Sequence, residues 1–296
     1  MTYSVVAATA DGTVGGASTS CVDGFSVGIV YAARPGVGVI HAQARVNTAA
    51  RDDALTFFGQ GDDAATVLSA ITEPSYDPLV AQRQYLLAQP GGTAAFTGAA
   101  TGPFAGDRQG VVDGIQYVVA GNILTGAPVL DRTEAAFTAE GCDLAERLVR
   151  ALEAGAENGE GDSRCTPDRP STTAYLRVEG GRNDAPRIEI DIVDSLDPLA
   201  ALRAQYEAWR LENPCPDASA GAGGDEQGGA PGGGGRDLGG GESEAATAPS
   251  GGAAATGDAS PDPGGCALSG DSGDGSGVAL VVAAVVLLGL AVRLRR

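Results

Sequence analysis

The chain has 296 residues and a formal net charge of −19 at pH 7, and all 19 of its basic residues are Arg. The absence of Lys excludes Schiff-base chemistry, Ser-Lys dyads and the Lys-bearing phosphate loop. The strongly acidic balance argues against nucleic acid as a partner, because phosphates would be repelled.

The first half of the chain alternates between strand-like and helix-like patterns. Four strands with alternating or β-branched residues are predicted first, at 3–8, 14–20, 25–33 and 37–44. Helical spacing then predicts a pair of helices at 48–58 and 62–71. Three further strands follow, at 83–87, 93–97 and 116–120.

The second half of this region continues with helices, strands and a last helix. Helices are predicted at 129–139 and 143–154, strands at 173–178 and 188–193, and a last helix at 198–212. Strands, paired helices and strands again indicate an α+β fold in which helices cover two packed sheets. We therefore expect one folded domain over residues 2–212.

Beyond this domain the composition changes abruptly. Residues 213–265 are rich in Gly, Pro, Ser and Asp and have almost no large apolar side chain, which predicts a disordered linker. The apolar run at 278–292 is followed by an Arg-rich end, which predicts a C-terminal transmembrane helix in the segment 266–296. The Arg cluster places that end in the cytoplasm and the folded domain outside the membrane.

Five cysteines are present, and none belongs to a C-x-x-C pair. Cys21, Cys142, Cys165 and Cys215 lie in or beside the folded part, and an even number suits two disulfides in an oxidising compartment. Cys142 and Cys165 bracket a predicted helix and are the preferred pair, although all three connectivities stay open. Buried reduced thiols are the alternative.

The tail resembles the myxobacterial C-terminal sorting signal MYXO-CTERM, with a Pro/Gly-rich stretch, Gly265-Cys266, an apolar helix and terminal Arg residues. The resemblance implies cleavage near Cys266 by a membrane protease and transport to the cell surface; a permanent anchor is the alternative. The start "MTYSVVAATADG" has no secretory signal, so we expect that the given start omits one.

Candidate catalytic residues are few. His41 is the only His, so a catalytic triad or a Cys-His dyad would have to use it, and a structural role is the competing interpretation. An N-terminal Thr2 would carry a nucleophile and a base on one residue, because its α-amine can accept the hydroxyl proton. Asn47 and Asn122 end predicted strands and could donate to an oxyanion, or could serve only as turn residues.

One further acidic segment, "ENGEGDSR" at 157–164, does not have EF-hand spacing. We interpret it as a solvated loop.

Several separated motifs resemble one family. "TYSVVA" at 2–7, "HAQARVN" at 41–47, "RQY" at 83–85, "FTGAA" at 96–100, "AGNIL" at 120–124 and "LAERLVRALEAG" at 144–155 occur in this order. They look like an uncharacterised bacterial and archaeal family assigned to the N-terminal nucleophile (Ntn) hydrolase superfamily. The resemblance implies a four-layer αββα sandwich in which a processed N-terminal residue attacks amide-type bonds.

Within the matching motifs we expect Thr2, Asn47 and Asn122 to be catalytic and Gln43 and Thr97 to contact the substrate. The chain departs from the family at His41, where a small or hydroxyl residue is usual, which argues against an essential His41.

These observations predict a cell-surface amidohydrolase that acts on a peptide or small molecule without metal or organic cofactor. Its expected partners are the membrane, through the C-terminal helix, and a sorting protease, and its oligomeric state stays open. A catalytically inactive Ntn-fold module for surface binding is the alternative.

Overall fold

A computed structural model describes residues 2–180 and 188–215. Within them the chain forms ten strands and five α-helices. The strands are β1 (Thr2–Ala8), β2 (Val14–Ser20), β3 (Tyr31–Arg34), β4 (Gly38–Ala44), β5 (Arg83–Gln89), β6 (Gly92–Thr97), β7 (Ala105–Val112), β8 (Ile115–Asn122), β9 (Thr173–Glu179) and β10 (Ile188–Ile192). The helices are α1 (Thr48–Gln60), α2 (Ala64–Thr72), α3 (Ala127–Thr138), α4 (Leu144–Gly155) and α5 (Pro198–Glu212). The predicted α+β class is confirmed.

The strands form two antiparallel sheets. The larger sheet has the order β10-β9-β2-β1-β8-β7, and the smaller sheet has the order β3-β4-β5-β6. The sheets pack face to face, so that β1 contacts β4 and β5, and β8 contacts β5. An inter-sheet apolar cluster fills much of the space between them. Its buried members are Val6, Ala8, Val14, Val27, Tyr31, Val39, Leu86, Ala88, Val118, Ala120 and Tyr175.

Helices cover both outer faces. Helices α3, α4 and α5 pack on the larger sheet, and α1 and α2 pack on the smaller one. Because side chains alternate along a strand, β1 directs Tyr3 and Val5 toward the helices and leaves Thr2 and Ser4 facing the other sheet. The hydroxyl of Tyr3 donates to the carbonyl oxygen of Leu152 in α4 at 2.6 Å, which ties the central strand to its covering helix.

Side-chain caps start most of the helices at the residues where their sequence signals lie. Asn47, Asp63, Asp143 and Asp197 each accept a hydrogen bond from a backbone N–H in the first turn of the helix that follows. Gly61 ends α1 with a φ of 99°, a left-handed conformation that favours glycine.

The structure differs from the predicted elements in two places. The strand expected at 25–33 is replaced by a 3₁₀ turn at Val27–Val30, capped by Ser26, and only the shorter strand β3 follows it. Strand β7 was not predicted, because its sequence AGDRQGVV has few β-branched residues. Strand β7 forms despite its low strand propensity, because it pairs with β8 along its whole length.

Four cysteines form two disulfides, but the preferred pair Cys142–Cys165 was wrong. Cys21 is bonded to Cys165, and Cys142 is bonded to Cys215. Helix α4 has 12 residues and is therefore about 18 Å long, and it separates Cys142 at one end from the loop of Cys165 beyond the other. Each cysteine instead meets a partner that is distant in sequence.

In the part of the chain that the structure describes, no helix combines the length and the apolar character that a membrane span requires. The predicted transmembrane helix at 278–292, Cys266 and most of the predicted linker lie outside the described residues.

Candidate functional site

Thr2 is the first residue of β1, a central strand of the larger sheet. In the two neighbouring strands it lies opposite Ser20 and Asn122. The residue is only 5% exposed, and its Oγ1 donates to Oγ of Ser20 at 3.3 Å. The predicted nucleophile therefore lies at one end of the inter-sheet space, between two polar side chains.

A polar cluster continues from Thr2 into the space between the sheets, and its members are buried except for Thr97 and Asp107, which are half-buried. It consists of Thr2, Ser4, Gln43, Gln84, Thr97, Asp107 and Asn122. The strands β1, β4, β5, β6, β7 and β8 each contribute at least one of these residues. The cluster thus forms only when both sheets have assembled.

Gln84, at the start of β5, lies at the centre of the polar cluster. The two hydrogens of its Nε2 are shared among three acceptors, which are Oγ1 of Thr97 and the carbonyl oxygen of Gly121, both at 2.9 Å, and the carbonyl oxygen of Gly106 at 3.2 Å. Its Oε1 accepts from Nε2 of Gln43 at 2.8 Å and from Nδ2 of Asn122 at 3.0 Å. Both ends of one buried amide are therefore fully engaged.

The cluster ends on a hydroxyl in one direction and on a carboxylate in the other. Oγ of Ser4 donates to Oε1 of Gln43 at 2.5 Å. On the far side, Oγ1 of Thr97 donates to Oδ2 of Asp107 at 2.9 Å. Gln43 and Thr97, predicted as substrate contacts, are therefore both hydrogen-bonded to protein partners in this structure.

Some buried polar atoms in the inter-sheet layer have no hydrogen-bond partner among the described residues. They are Oδ1 of Asn122, Oγ of Ser18 and both ring nitrogens of His41. Leaving a buried polar atom unpaired costs about 1–3 kcal/mol. Such atoms therefore mark places where the layer is not optimised for stability alone.

Asn47 takes part in a different set of contacts. Its Oδ1 caps α1, and its Nδ2 donates to Oδ2 of Asp77 at 2.9 Å. Asp77 also forms an ion pair with Arg83 at 2.7 Å. Burial raises the pKa of the Asp77 carboxyl, but the hydrogen bonds from Arg83, Leu79 and Asn47 outweigh it and lower that pKa to about 2. Asn47 therefore caps α1 and holds Asp77, and its described contacts do not join it to the polar cluster of Thr2.

His41 lies on the inner face of β4, away from solvent. Its ring meets the edge of Tyr31 at 5.6 Å between centroids, and a Cβ built on Gly16 would come within 2.6 Å of its Nε2. Burial lowers the pKa of the imidazole to about 3, so it is neutral at physiological pH. Gly16 leaves the room that this ring occupies.

The segment at 157–164 is not simply a solvated loop, as the sequence suggested. Asp162 is buried and accepts from the backbone N–H of Cys21 at 2.7 Å and from the guanidinium of Arg164. Together with the Cys21–Cys165 disulfide, it fixes the chain that leaves β2 directly after Ser20. This loop therefore supports the end of the sheet where Thr2 lies.

Sequence reasoning missed Ser4, Gln84 and Asp107 as members of the site. A signal was present for two of them, because Ser4 and Gln84 are polar residues two positions before the apolar, inward-facing Val6 and Leu86 of the same strands. A polar residue at such a position must find a partner when it is buried. Asp107 lies in the unpredicted strand β7 and gave no comparable signal.

Residues 2–202 match the model of a family described as "Family of unknown function (DUF1028)". Among solved structures, the crystal structure of protein SPO2555 from Silicibacter pomeroyi, assigned to the same family model, is similar with a TM-score of 0.59. The two proteins share 25% sequence identity over 71% of this chain and 89% of that chain. No functionally curated protein matches the chain.

Proposed function

The chain belongs to the DUF1028 family of unknown function, and from its own site we propose that it is an amidohydrolase of the N-terminal nucleophile type. Thr2 is the nucleophile, and its α-amine is the base once the residue begins the chain. The observation that carries this proposal is the position of Thr2, which opens a central strand and adjoins the polar cluster between the two sheets.

The arrangement of layers supports the same proposal. Two antiparallel sheets pack face to face and carry helices on both outer sides. This is the organisation expected for the αββα sandwich of the Ntn hydrolase superfamily, which the sequence motifs resemble. Fold likeness alone does not establish chemistry, so the residues at the site decide the proposal.

The proton transfers and bond changes of the proposed reaction use only Thr2, the substrate and water. The α-amine takes the proton of Oγ1 while Oγ1 attacks the amide carbonyl carbon, which gives a tetrahedral intermediate. The protonated amine then gives its proton to the leaving nitrogen, the C–N bond breaks, and the acyl group remains on Oγ1 as an ester. Water, activated by the same amine, hydrolyses the ester and restores Thr2.

The proposal includes the location of the protein. Two disulfides are typical of proteins that fold in an oxidising compartment. We propose that the domain is exported and held at the cell envelope or surface through its C-terminal segment, with a MYXO-CTERM-like signal at Cys266 as the substrate of a sorting protease. Its substrate is then an extracellular peptide or a small amide.

One observation favours a second candidate function. Thr2 is 5% exposed, and both hydrogens of the Asn122 amide are engaged with protein acceptors. A site whose nucleophile is covered and whose amide donors are occupied suits a catalytically inactive Ntn-fold module that binds at the cell surface. The two candidates differ in whether Oγ1 of Thr2 forms a covalent bond.

Covalent capture separates the two candidates. The full chain beginning at Thr2 is incubated with a β-lactone, which acylates reactive N-terminal hydroxyls, and the adduct is located by peptide mass mapping. The proposal predicts an adduct on Thr2, loss of capture by about 10³-fold or more in Thr2→Ala, and retention in Thr2→Ser. The control variant Thr56→Ala, on the exposed face of α1, should react like the parent.

Two results would count against Thr2 as a nucleophile. An adduct that persists in Thr2→Ala would disprove Thr2 catalysis. A folded Thr2 chain that forms no adduct, and hydrolyses no member of a peptide and amide panel, would favour the binding module.

A further inference from the structure

Backbone carbonyl oxygens fix the orientation of the Gln84 amide. One end of this side chain lies 2.9 Å from the carbonyl oxygen of Gly121 and 3.2 Å from that of Gly106. Carbonyl oxygens only accept hydrogen bonds, so this end must be the NH₂ group. The opposite end, Oε1, therefore faces Asn122 and Gln43.

The orientation of Asn122 follows from that of Gln84. The amide of Asn122 has two acceptors on one side, Oε1 of Gln84 at 3.0 Å and the carbonyl oxygen of Thr2 at 3.4 Å. Only the NH₂ end of Asn122 can satisfy both, and its two hydrogens are then used. Oδ1 is left as a buried acceptor without a partner among the described residues.

A carboxylate sets the direction of the whole chain of hydrogen bonds. Oγ1 of Thr97 donates to Asp107 and can therefore only accept from Gln84. Donation therefore runs in one sense, from Asn122 to Gln84, then to Thr97, and finally to the Asp107 carboxylate. Hydrogen bonds aligned in one sense polarise one another, so turning one amide opposes all the others.

We propose that Gln84 is a positioning residue, which holds Asn122 so that its free Oδ1 accepts a hydrogen bond from the α-amine of Thr2. This inference rests on the proposed function, because it assigns a role to the base of that reaction. Asn122 lies directly opposite Thr2 in the β1–β8 pair. An acceptor there orients the amine, and hence its lone pair, toward Oγ1 of the same residue.

The proposal changes the role that the sequence predicted for Asn122. A donor to the oxyanion would need an N–H, and both N–H groups of Asn122 already point at acceptors. Asn122 therefore acts on the base, and the oxyanion is stabilised by other donors.

Two variants of Gln84 separate positioning from packing. Gln84→Met fills the space but removes the acceptor, so Asn122 is free to turn. Gln84→Glu in its protonated form keeps an oxygen beside Asn122 and one donor toward the carbonyl oxygen of Gly121. It buries a carboxyl group, which costs more stability than a thioether. Positioning therefore predicts that the Glu variant preserves function better than the Met variant, whereas simple packing predicts the reverse.

The experiment uses the full ¹⁵N-labelled chain beginning at Thr2. The side-chain amide signals of Asn122 are assigned by their loss in Asn122→Asp, and β-lactone capture at Thr2 is timed in each variant. We expect Gln84→Met to shift the Asn122 amide signals and to slow capture about 10- to 100-fold, the size of effect that misplacing a reacting group has. We expect Gln84→Glu to leave the signals and the capture rate close to those of the parent.

Two results would overturn the proposal: unchanged Asn122 signals and capture in Gln84→Met, or a Glu variant that is more impaired than the Met variant. If the parent chain shows no capture, the proposed function fails. The amide signals still decide the role of Gln84 in that case, because they do not depend on reactivity.

Discussion

The two halves of the inter-sheet layer share the strands β1, β4, β5 and β8 but have opposite chemistry. Along β1, Thr2 and Ser4 belong to the polar cluster, and Val6 and Ala8 two positions further on belong to the inter-sheet apolar cluster. Strand β5 repeats this change, from Gln84 to Leu86. The apolar half stabilises the packed sheets, and the polar half needs a specific network to remain buried.

The polar half is the part of the layer that departs from what stability alone would favour. In the apolar half, burial lowers free energy without any requirement for partners. In the polar half, each buried group that lacks a hydrogen bond costs free energy, and Oδ1 of Asn122 and Oγ of Ser18 have no partner among the described residues. His41 is a polar residue in the apolar half, because it lies directly opposite Leu86 in the β4–β5 pair. Neither of its ring nitrogens has a hydrogen-bond partner among the described residues.

The largest change in stability is expected in the apolar half. Leu86 is fully buried between the sheets, so Leu86→Ala should lower the free energy of unfolding by about 2–5 kcal/mol through lost burial and a cavity. Denaturant unfolding measures the loss. The control Leu211→Ala, at a site 87% exposed, should stay within about 0.5 kcal/mol of the parent. Equal effects at the two positions would contradict the assignment of the inter-sheet core.

Replacing His41 with an apolar residue should remove a pH-dependent loss of stability from the apolar half. The pKa of His41 is lowered from 6.5 to about 3 in the folded chain, so between these pH values the unfolded chain binds a proton that the folded chain does not. Stability is therefore complete above pH 6.5 and is lost progressively as the pH falls toward 3.

His41→Leu should remove this loss, which amounts to about 2 kcal/mol at pH 5. Unfolding at pH 5 and at pH 7.5 measures it, with the parent under both conditions as the control. A pH dependence that is the same in the variant and the parent would show that His41 is not the titrating group.

The smallest expected effect comes from two serines that face each other. Ser4 and Ser18 are opposite in the β1–β2 pair and both are fully buried, but among the described residues only the Ser4 hydroxyl has a hydrogen-bond partner. Ser4→Ala should cost about 1–2 kcal/mol, because it leaves Oε1 of Gln43 unpaired. Ser18→Ala is the matched control and should be neutral or slightly stabilising. The reverse order in thermal unfolding would contradict the described network.

Much of the fold follows from local patterns. The helix predicted at 198–212 matches α5, and the strand predicted at 14–20 matches β2. The start of α5 is marked locally by the cap residue Asp197 and by Pro198 at the first helical position. The sequence did not predict β7 or the disulfide pairing, because both depend on contacts between segments far apart along the chain.

The candidate site was predictable only in part for the same reason. Four of the residues singled out, Thr2, Gln43, Thr97 and Asn122, meet in the polar cluster, whereas Asn47 caps α1. The strand context of these residues was visible in the sequence, but the pairing of their amides was not. Gln84 joins them because β5 faces both β1 and β8 across the layer.

The measurement that tests Thr2 catalysis most directly is the N-terminal residue of the protein purified from the cells that make it, by N-terminal sequencing and intact mass. The proposal predicts a chain that begins at Thr2 with a free α-amine, which places nucleophile and base on one residue. A chain that retains Met1 or any residue before it would leave the nitrogen of Thr2 in a peptide bond and would contradict Thr2 as its own base.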